Sequence, residues 1–488
     1  MSTDQAPPTT ESTSAADQPP IEERSVITQH TVDLGDGRTL AYKATAGTLV
    51  LTDEADKPTA SIFHVAYELE GDHANADRPL VFAFNGGPGS SSVWLHLGIL
   101  GPMRVQAADP DEPPAQVGVL GPNPDTLLEA ADIVFIDPIG TGFSRPAPGK
   151  EAKDFYGLQQ DVEALGEVIR IITTRMGRWA SPKFLVGESY GTMRAAALAE
   201  HLQSRHGMYV DGLGLVSTVL HWGTLNFHRM NDLGFMVALP TMAATAAYHG
   251  VTSGDPVQRF AEAQEFALTD YATALLQGSR LTQGEVDRTA GRVAELIGLD
   301  ASYVRAANLR VNQSRFCKEL LRDRRRTVGR LDTRFTGIDL DSAGEHSGSG
   351  DPSYWAIQNP YTRAMGDYVR GSLGFETDLV YEILSGEPGK HWDYGQAGTN
   401  KYADVSDRLG HALNRDPNLR VLVASGYFDL ATPMLGADMT VDHLWLDADR
   451  AGSVTTTRYE AGHMMYVNPT QSRRLGADLV QLVAPSGA

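Results

Sequence analysis

The run Gly187-Glu188-Ser189-Tyr190-Gly191 follows the apolar stretch KFLV and precedes a segment of helical character. A G-x-S-x-G run between a strand and a helix can hold its serine on a sharp, strained turn that lifts the hydroxyl out of a sheet. Bulky neighbours would collide with the adjoining strand and helix, hence the glycines. The helix N-terminus below favours negative charge. A serine hydroxyl is a weak nucleophile until a base takes its proton. On this kind of scaffold the acid and base follow in the order Ser, Asp or Glu, His. The chain supplies Asp429 in ASGYFDLATP and His463 in YEAGHMMY, 463 − 429 = 34 residues apart, each just after an apolar or β-rich run. The chemistry this points to is acyl transfer through a serine nucleophile. The oxyanion that forms needs preset N–H donors. The expected pair is the main-chain N–H of Tyr190 and that of Gly87, in the loop FNGGPGSSS at 84–92. The same loop is no phosphate cradle, because G-x-x-x-x-G-K followed by Ser or Thr is absent.

The flanking pattern says what must position these residues. Short β-rich runs with turn signals such as LGDG (34–37) predict two or three hairpin strands between 27 and 70. From 79 to 220, buried-strand runs alternate with helices: PLVFAFN, DIVFIDP, a helix over 161–176, KFLVGES, a helix from Tyr190, and GLGLVST. RVLVASG and SVTTTRYEAG restore the pattern near the C-terminus, before a final helix. Apolar strands alternating with helices predict an α/β fold with a mainly parallel sheet covered on both faces. The expected organisation is a disordered tail over 1–25 and a core in two parts, 26–218 and 381–488. A mostly helical insertion over 219–380 interrupts the core. No internal repeat is visible.

Composition excludes several classes. The formal net charge is −20, from 41 Lys and Arg against 61 Asp and Glu, which argues against nucleic acid or an anionic membrane as a main partner. No run of about 18 apolar residues exists, so no transmembrane helix is expected. One cysteine, Cys317, forbids an intrachain disulfide, and its Arg- and Lys-rich setting reads as an inert helical thiol. The N-terminus lacks a basic segment followed by an apolar one, so no signal peptide and a cytoplasmic location are expected. No metal-ligand spacing and no cofactor motif is present. RDRRRTVGR (322–330) reads as an ion-paired helix face, HWDYG (391–395) as a packed aromatic corner, and Asn312-Gln313-Ser314 as a glycosylation acceptor without a route to use it.

NGGPGSSS, DPIGTGFS, GESYGT, SGYFDLATP and AGHMMY, in this order, resemble the serine carboxypeptidases. The resemblance spans about 80 to 220 and 370 to 470 and is to a bacterial-type member without disulfides. It implies an α/β-hydrolase fold with a helical cap, and removal of a C-terminal residue from a peptide through an acyl-enzyme. It implies Ser189, Asp429 and His463 as the triad and Gly87 and Tyr190 as the oxyanion hole. Asn85 and Glu188 would bind the free carboxylate, and Met464 would line the leaving-group pocket. A protonated Glu donates to a carboxylate where an ionised one repels it, which fits the acidic working range typical of the family.

The sequence departs from the family in three places. Ile99, in LGILGP, stands where the family usually has a second Glu, so half of the implied carboxyl–carboxylate network is missing. His96, on the same segment, is the residue that could compensate. Ser90 replaces a family Cys, and VSTVLHWG replaces Gly-Asn-Gly after the next strand. The expected partner is a peptide with a free C-terminus; a homodimer stays open. The alternatives are an esterase or acyltransferase on the same scaffold, and a binding protein with a vestigial hydrolase fold.

Overall fold

The computed structural model describes residues 21–71, 77–346, 348, 350–395 and 402–485. Nine strands build the main sheet: β1 (Arg24–Asp33), β2 (Thr39–Thr52), β3 (Pro58–Leu69), β4 (Leu80–Phe84), β5 (Asp132–Ile136), β6 (Lys183–Glu188), β7 (Gly212–Val216), β8 (Arg420–Gly426) and β9 (Val454–Tyr459). Their order is β1-β2-β3-β5-β4-β6-β7-β8-β9, and a two-residue strand, Arg145–Pro146, pairs with β3. The first three form the antiparallel meander that the turn signals predict, and β3 meets β5 antiparallel. From β5 to β9 every pairing is parallel. The central strands LVFAF, DIVFI and GLGLV are buried at every position, as a sheet covered on both faces requires.

Helices α1 (Leu158–Arg175) and α2 (Tyr190–His206) cover one face. In α1 the apolar face predicted from the sequence is the buried one, through Val162, Leu165, Val168, Ile169 and Ile172. A run of small residues, Ala195–Ala197 and Ala199, lets α2 lie close to the sheet. The last helix, α5 (Pro469–Val483), packs on the opposite face through Leu475, Leu479 and Leu482. All the strands that carry candidate residues release them at their C-terminal ends, where ligands bind in open parallel sheets.

Between β7 and β8 the chain leaves the sheet. It forms helices that include α3 (Leu233–Tyr248), in a separate core around Val237, Met242, Leu296 and Phe316, and α4 (Pro352–Asp367), which packs into the main core through Ile357, Tyr361 and Met365. This stretch also holds an antiparallel hairpin, Arg326–Val328 with Thr336–Ile338, inside the segment read from sequence as mostly helical. The basic run is accordingly not an ion-paired helix face. Arg322–Arg324 is one 3-10 turn, Arg322 pairs with Glu319 at 2.6 Å, and Arg324 donates to a carbonyl, that of His249. Most of the predicted N-terminal tail, residues 1–20, lies outside the described residues, and β1 begins at Arg24. No described helix is long and apolar enough to cross a membrane.

Candidate active site

The turn after β6 is built as the motif demands. Ser189 sits at φ 60°, ψ −129°, between the strand and α2. This is a backbone region that costs free energy and persists where the surroundings over-determine it. A Cβ on Gly187 would lie 2.1 Å from the Gly191 carbonyl oxygen, and one on Gly191 would lie 2.8 Å from that of Phe84. The strand, the elbow and the oxyanion loop thus meet backbone to backbone. The Ser189 N–H is tied to the Val216 carbonyl at 3.0 Å. Tyr190 opens α2, so its N–H is one of the orphan donors at a helix start. Neither its N–H nor that of Gly87 meets an acceptor among the described residues.

Asp429 and His463 come from the loops after β8 and β9 and meet there. His463 Nδ1 donates to Asp429 Oδ2 at 2.8 Å, which leaves Nε2 as the basic nitrogen. Asp429 is fully buried, and its carboxylate is saturated. Oδ1 accepts from the N–H groups of Ala431 and Thr432 at 2.8 and 2.9 Å, and Oδ2 also accepts from Thr432 Oγ1 at 2.6 Å. Burial pulls the His463 pKa down, but the Asp429 charge and hydrogen bond, with the Glu188 charge, outweigh it and hold it above its ordinary value. Ser189 and His463 line one cavity of about 470 Å³. The serine–base contact in free hydrolases commonly tightens only when substrate is bound.

Glu188, beside the serine, is buried. Burial pushes its pKa up to about 7, against the lowering effects of the His463 charge and of the hydrogen bond from Tyr466. The Tyr466 hydroxyl donates to Glu188 Oε2 at 2.6 Å. Asn85 Oδ1 accepts from the Leu95 N–H at 3.1 Å, which leaves its Nδ2 buried with donors to spare beside that carboxyl. Behind the loop, Arg194 of α2 pairs with Asp161 of α1 at 2.6 Å and also donates to the Asn85 carbonyl. This buried pair fixes the oxyanion loop from below. Asn85, Gly87, Glu188 and Met464 all line the same cavity as Ser189 and His463. The residues expected to form the triad, the oxyanion hole and the carboxylate site therefore border this cavity or support it.

Ile99 and His96 do not. Ile99 is buried in the core. Over the preceding turn a Cβ on Gly98 would lie 2.3 Å from the Tyr466 ring, so the space next to Glu188 is taken by that tyrosine. His96 is fully buried, stacks on Phe135 with ring centroids 4.1 Å apart, and meets the Tyr67 hydroxyl at 2.7 Å. Burial lowers its pKa to about 3. It cannot serve the compensating role considered from the sequence. HWDYG is a packed corner: Trp392 donates to the Tyr190 hydroxyl at 3.0 Å, and no residue of the run borders the cavity. Burial raises the Cys317 thiol to about 12, which keeps it inert. Asn312 caps a helix, accepting from the Arg315 N–H at 2.9 Å. Among the described residues no group of three or more His, Cys, Asp or Glu could hold a metal.

Three contributions escaped the sequence reading. Thr432 and Tyr466 lie within quoted motifs, but nothing in their types marks them as partners of Asp429 and Glu188. The third is the hairpin loop of the insertion. Leu331 O accepts from the His463 N–H at 2.7 Å, Arg330 O from the Leu430 N–H at 3.1 Å, and the Thr333 N–H donates to Phe428 O at 3.0 Å. A Cβ on Gly462 would lie 2.4 Å from Asp332 Cβ. The insertion is thus a strut pinned across both the acid loop and the base loop. Only its distance in sequence hid it.

The family described as "Serine carboxypeptidase" matches residues 38–474. The pheromone-processing carboxypeptidase KEX1 of Saccharomyces cerevisiae is 34% identical over 113 residues, 23% of this chain and 14% of the relative. The match thus spans about one seventh of that relative's length. A crystal structure of the yeast prohormone-processing carboxypeptidase Kex1 superposes over 90% of this chain and 91% of the other, at 16% identity and a TM-score of 0.56. The likeness to that structure is one of fold. With the family match covering most of the sequence, the chain belongs to the serine carboxypeptidases, serine hydrolases of the α/β-hydrolase fold.

Proposed function

We propose that the protein releases C-terminal residues from peptides through an acyl-enzyme on Ser189. His463 Nε2 takes the Ser189 proton as Oγ attacks the scissile carbonyl carbon. Asp429 orients the ring and stabilises the imidazolium. The oxyanion accepts from the N–H groups of Gly87 and Tyr190. The imidazolium then returns its proton to the leaving amine, the C–N bond breaks, and the shortened peptide remains as an ester on Ser189. Water, deprotonated by His463, attacks that ester, and the proton passes back to Ser189. Asn85 and Glu188 hold the substrate's terminal carboxylate, and Met464 lines the space for the leaving residue.

The observation that carries this reading is Glu188, a buried carboxyl with a pKa near 7 next to the nucleophile. In its neutral form it donates a hydrogen bond to an anion, while Asn85 Nδ2 offers a second donor. A general esterase has no use for that pair. The test is incubation with a peptide library, read by mass spectrometry at both ends. Ladders shortened only from the C-terminus, with amidated peptides spared, are the expected result. Equal turnover of amidated peptides or simple esters would favour an esterase or acyltransferase instead, the reading that Ile99 supports.

A further inference from the structure

The cavity wall contains one Lys or Arg among the described residues, Arg330. It closes the basic run of the insertion, but it differs from its neighbours. Among the described residues no acidic side chain lies within ion-pair distance of its guanidinium and that group makes no hydrogen bond. The acid that holds the Arg330 main chain is Asp351, also on the wall. Asp351 Oδ1 accepts from the N–H groups of Arg330 and Ser353 at 3.2 and 3.0 Å and from Ser353 Oγ, and Oδ2 accepts from the Leu331 N–H at 3.1 Å. Those bonds fix the Arg330 main chain.

The main chain at Arg330 is held from the other side as well. Its carbonyl accepts from the Leu430 N–H in the acid loop, and the next carbonyl accepts from the His463 N–H in the base loop. The base of the side chain is therefore rigid with respect to the catalytic loops, and Arg330 is an exposed residue on the cavity wall. Its charge acts on the His463 ring, where it opposes Asp429. A guanidinium left unpaired in a protein of net charge −20, at the rim of a site for anions, has an evident counter-ion. Arginine presents a planar fork that matches a carboxylate.

We propose that Arg330 is a specificity-determining residue of this site and pairs with a carboxylate of the bound substrate. It thereby supplies from the insertion the anion recognition that Ile99 withdraws from the core. The inference rests on the carboxypeptidase reading for the kind of ligand. The carboxylate has two sources, the C-terminus itself or an acidic side chain at the residue beside the scissile bond.

The test uses hydrolysis of a p-nitrophenyl ester as the activity and three blocked amino acids as competitive inhibitors, at a pH below the Glu188 pKa. The inhibitors are N-acetylphenylalanine, its amide, and N-acetylglutamic acid α-amide. The enzyme should bind at least one of the two carboxylates more tightly than the phenylalanine amide. Arg330→Gln should weaken that binding by about 10-fold or more with binding of the amide unchanged, while ester turnover changes only as its acidic limb moves up with the His463 pKa, and R330K should restore part of the carboxylate binding. Loss confined to N-acetylphenylalanine assigns the C-terminus; loss confined to the glutamic amide assigns the side chain. Equal inhibition constants in R330Q and the natural protein would overturn the pairing. So would a parallel fall in ester turnover and amide binding, which would mark Arg330 as structural. Peptide cleavage, assayed separately on the natural protein, decides the carboxypeptidase reading. A protein that cleaves no peptide yet loses carboxylate binding in R330Q keeps the pairing and loses that reading.

Discussion

At the residue scale, the site turns on the protons of His463 and Glu188. The base must be neutral, and its pKa is raised above the ordinary imidazole value, so activity toward any substrate rises with pH through that pKa. Glu188 must be protonated to donate to a substrate carboxylate, and its pKa is about 7. Turnover of a free-acid peptide therefore falls again as pH rises through about 7, whereas ester turnover reaches a plateau. A comparison of kcat/KM against pH for the two substrates checks this; a shared alkaline limb would remove Glu188 from carboxylate binding. The Tyr466 hydroxyl lowers the Glu188 pKa, so Tyr466→Phe should shift the free-acid alkaline limb to higher pH, a limb that the ester profile lacks. Ser189→Ala should cut hydrolysis by several orders of magnitude with the thermal unfolding curve unchanged. The triad residues were legible because their chemistry is tied to short motifs in a fixed order. Tyr466 and Thr432 were not, since a hydroxyl becomes a partner only once the chain has folded it against a carboxyl.

At the element scale, the geometry depends on loops that approach each other more closely than side chains permit. Gly462, just before the base, faces Asp332 of the insertion hairpin, where a Cβ would come within 2.4 Å of two side-chain atoms. Gly462→Ala should therefore push the base loop and the hairpin apart. The expected cost is about 1–3 kcal/mol of stability, with a fall in kcat larger than any change in KM, measured by denaturant unfolding and steady-state kinetics. A variant with full kcat would show that the strut does not position His463. The strands and helices of the sheet were legible from their periodicity: LVFAF, DIVFI and the α1 face at Val162, Leu165 and Ile169 are buried as expected. The hairpin was not, because Arg326–Val328 and Thr336–Ile338 are three residues each. A run that short carries no readable alternation.

At the scale of the whole molecule, the insertion and the core are joined by a buried cluster. Arg334 of the insertion pairs with Asp332 at 2.7 Å and with Asp109 at 2.9 Å. Asp109 in turn accepts from Asn468 Nδ2 at the start of α5, at 3.1 Å. Arg334→Met removes the cation and leaves two buried acids unpaired, a loss of about 3–5 kcal/mol. It should lower Tm and ester activity together, because the strut that holds Leu331 O against His463 loses its anchor. Unchanged stability by calorimetry would mean that the insertion and the core are not coupled through this cluster. Long-range junctions of this kind have no local signature, and so the sequence told of an insertion but not of its part in the site. The most direct test of the account as a whole is labelling with a fluorophosphonate, read by intact mass and peptide mapping. One adduct, on Ser189, lost in His463→Ala while the variant stays folded, is the expected result. An unlabelled folded protein, or an adduct on another residue, would contradict it.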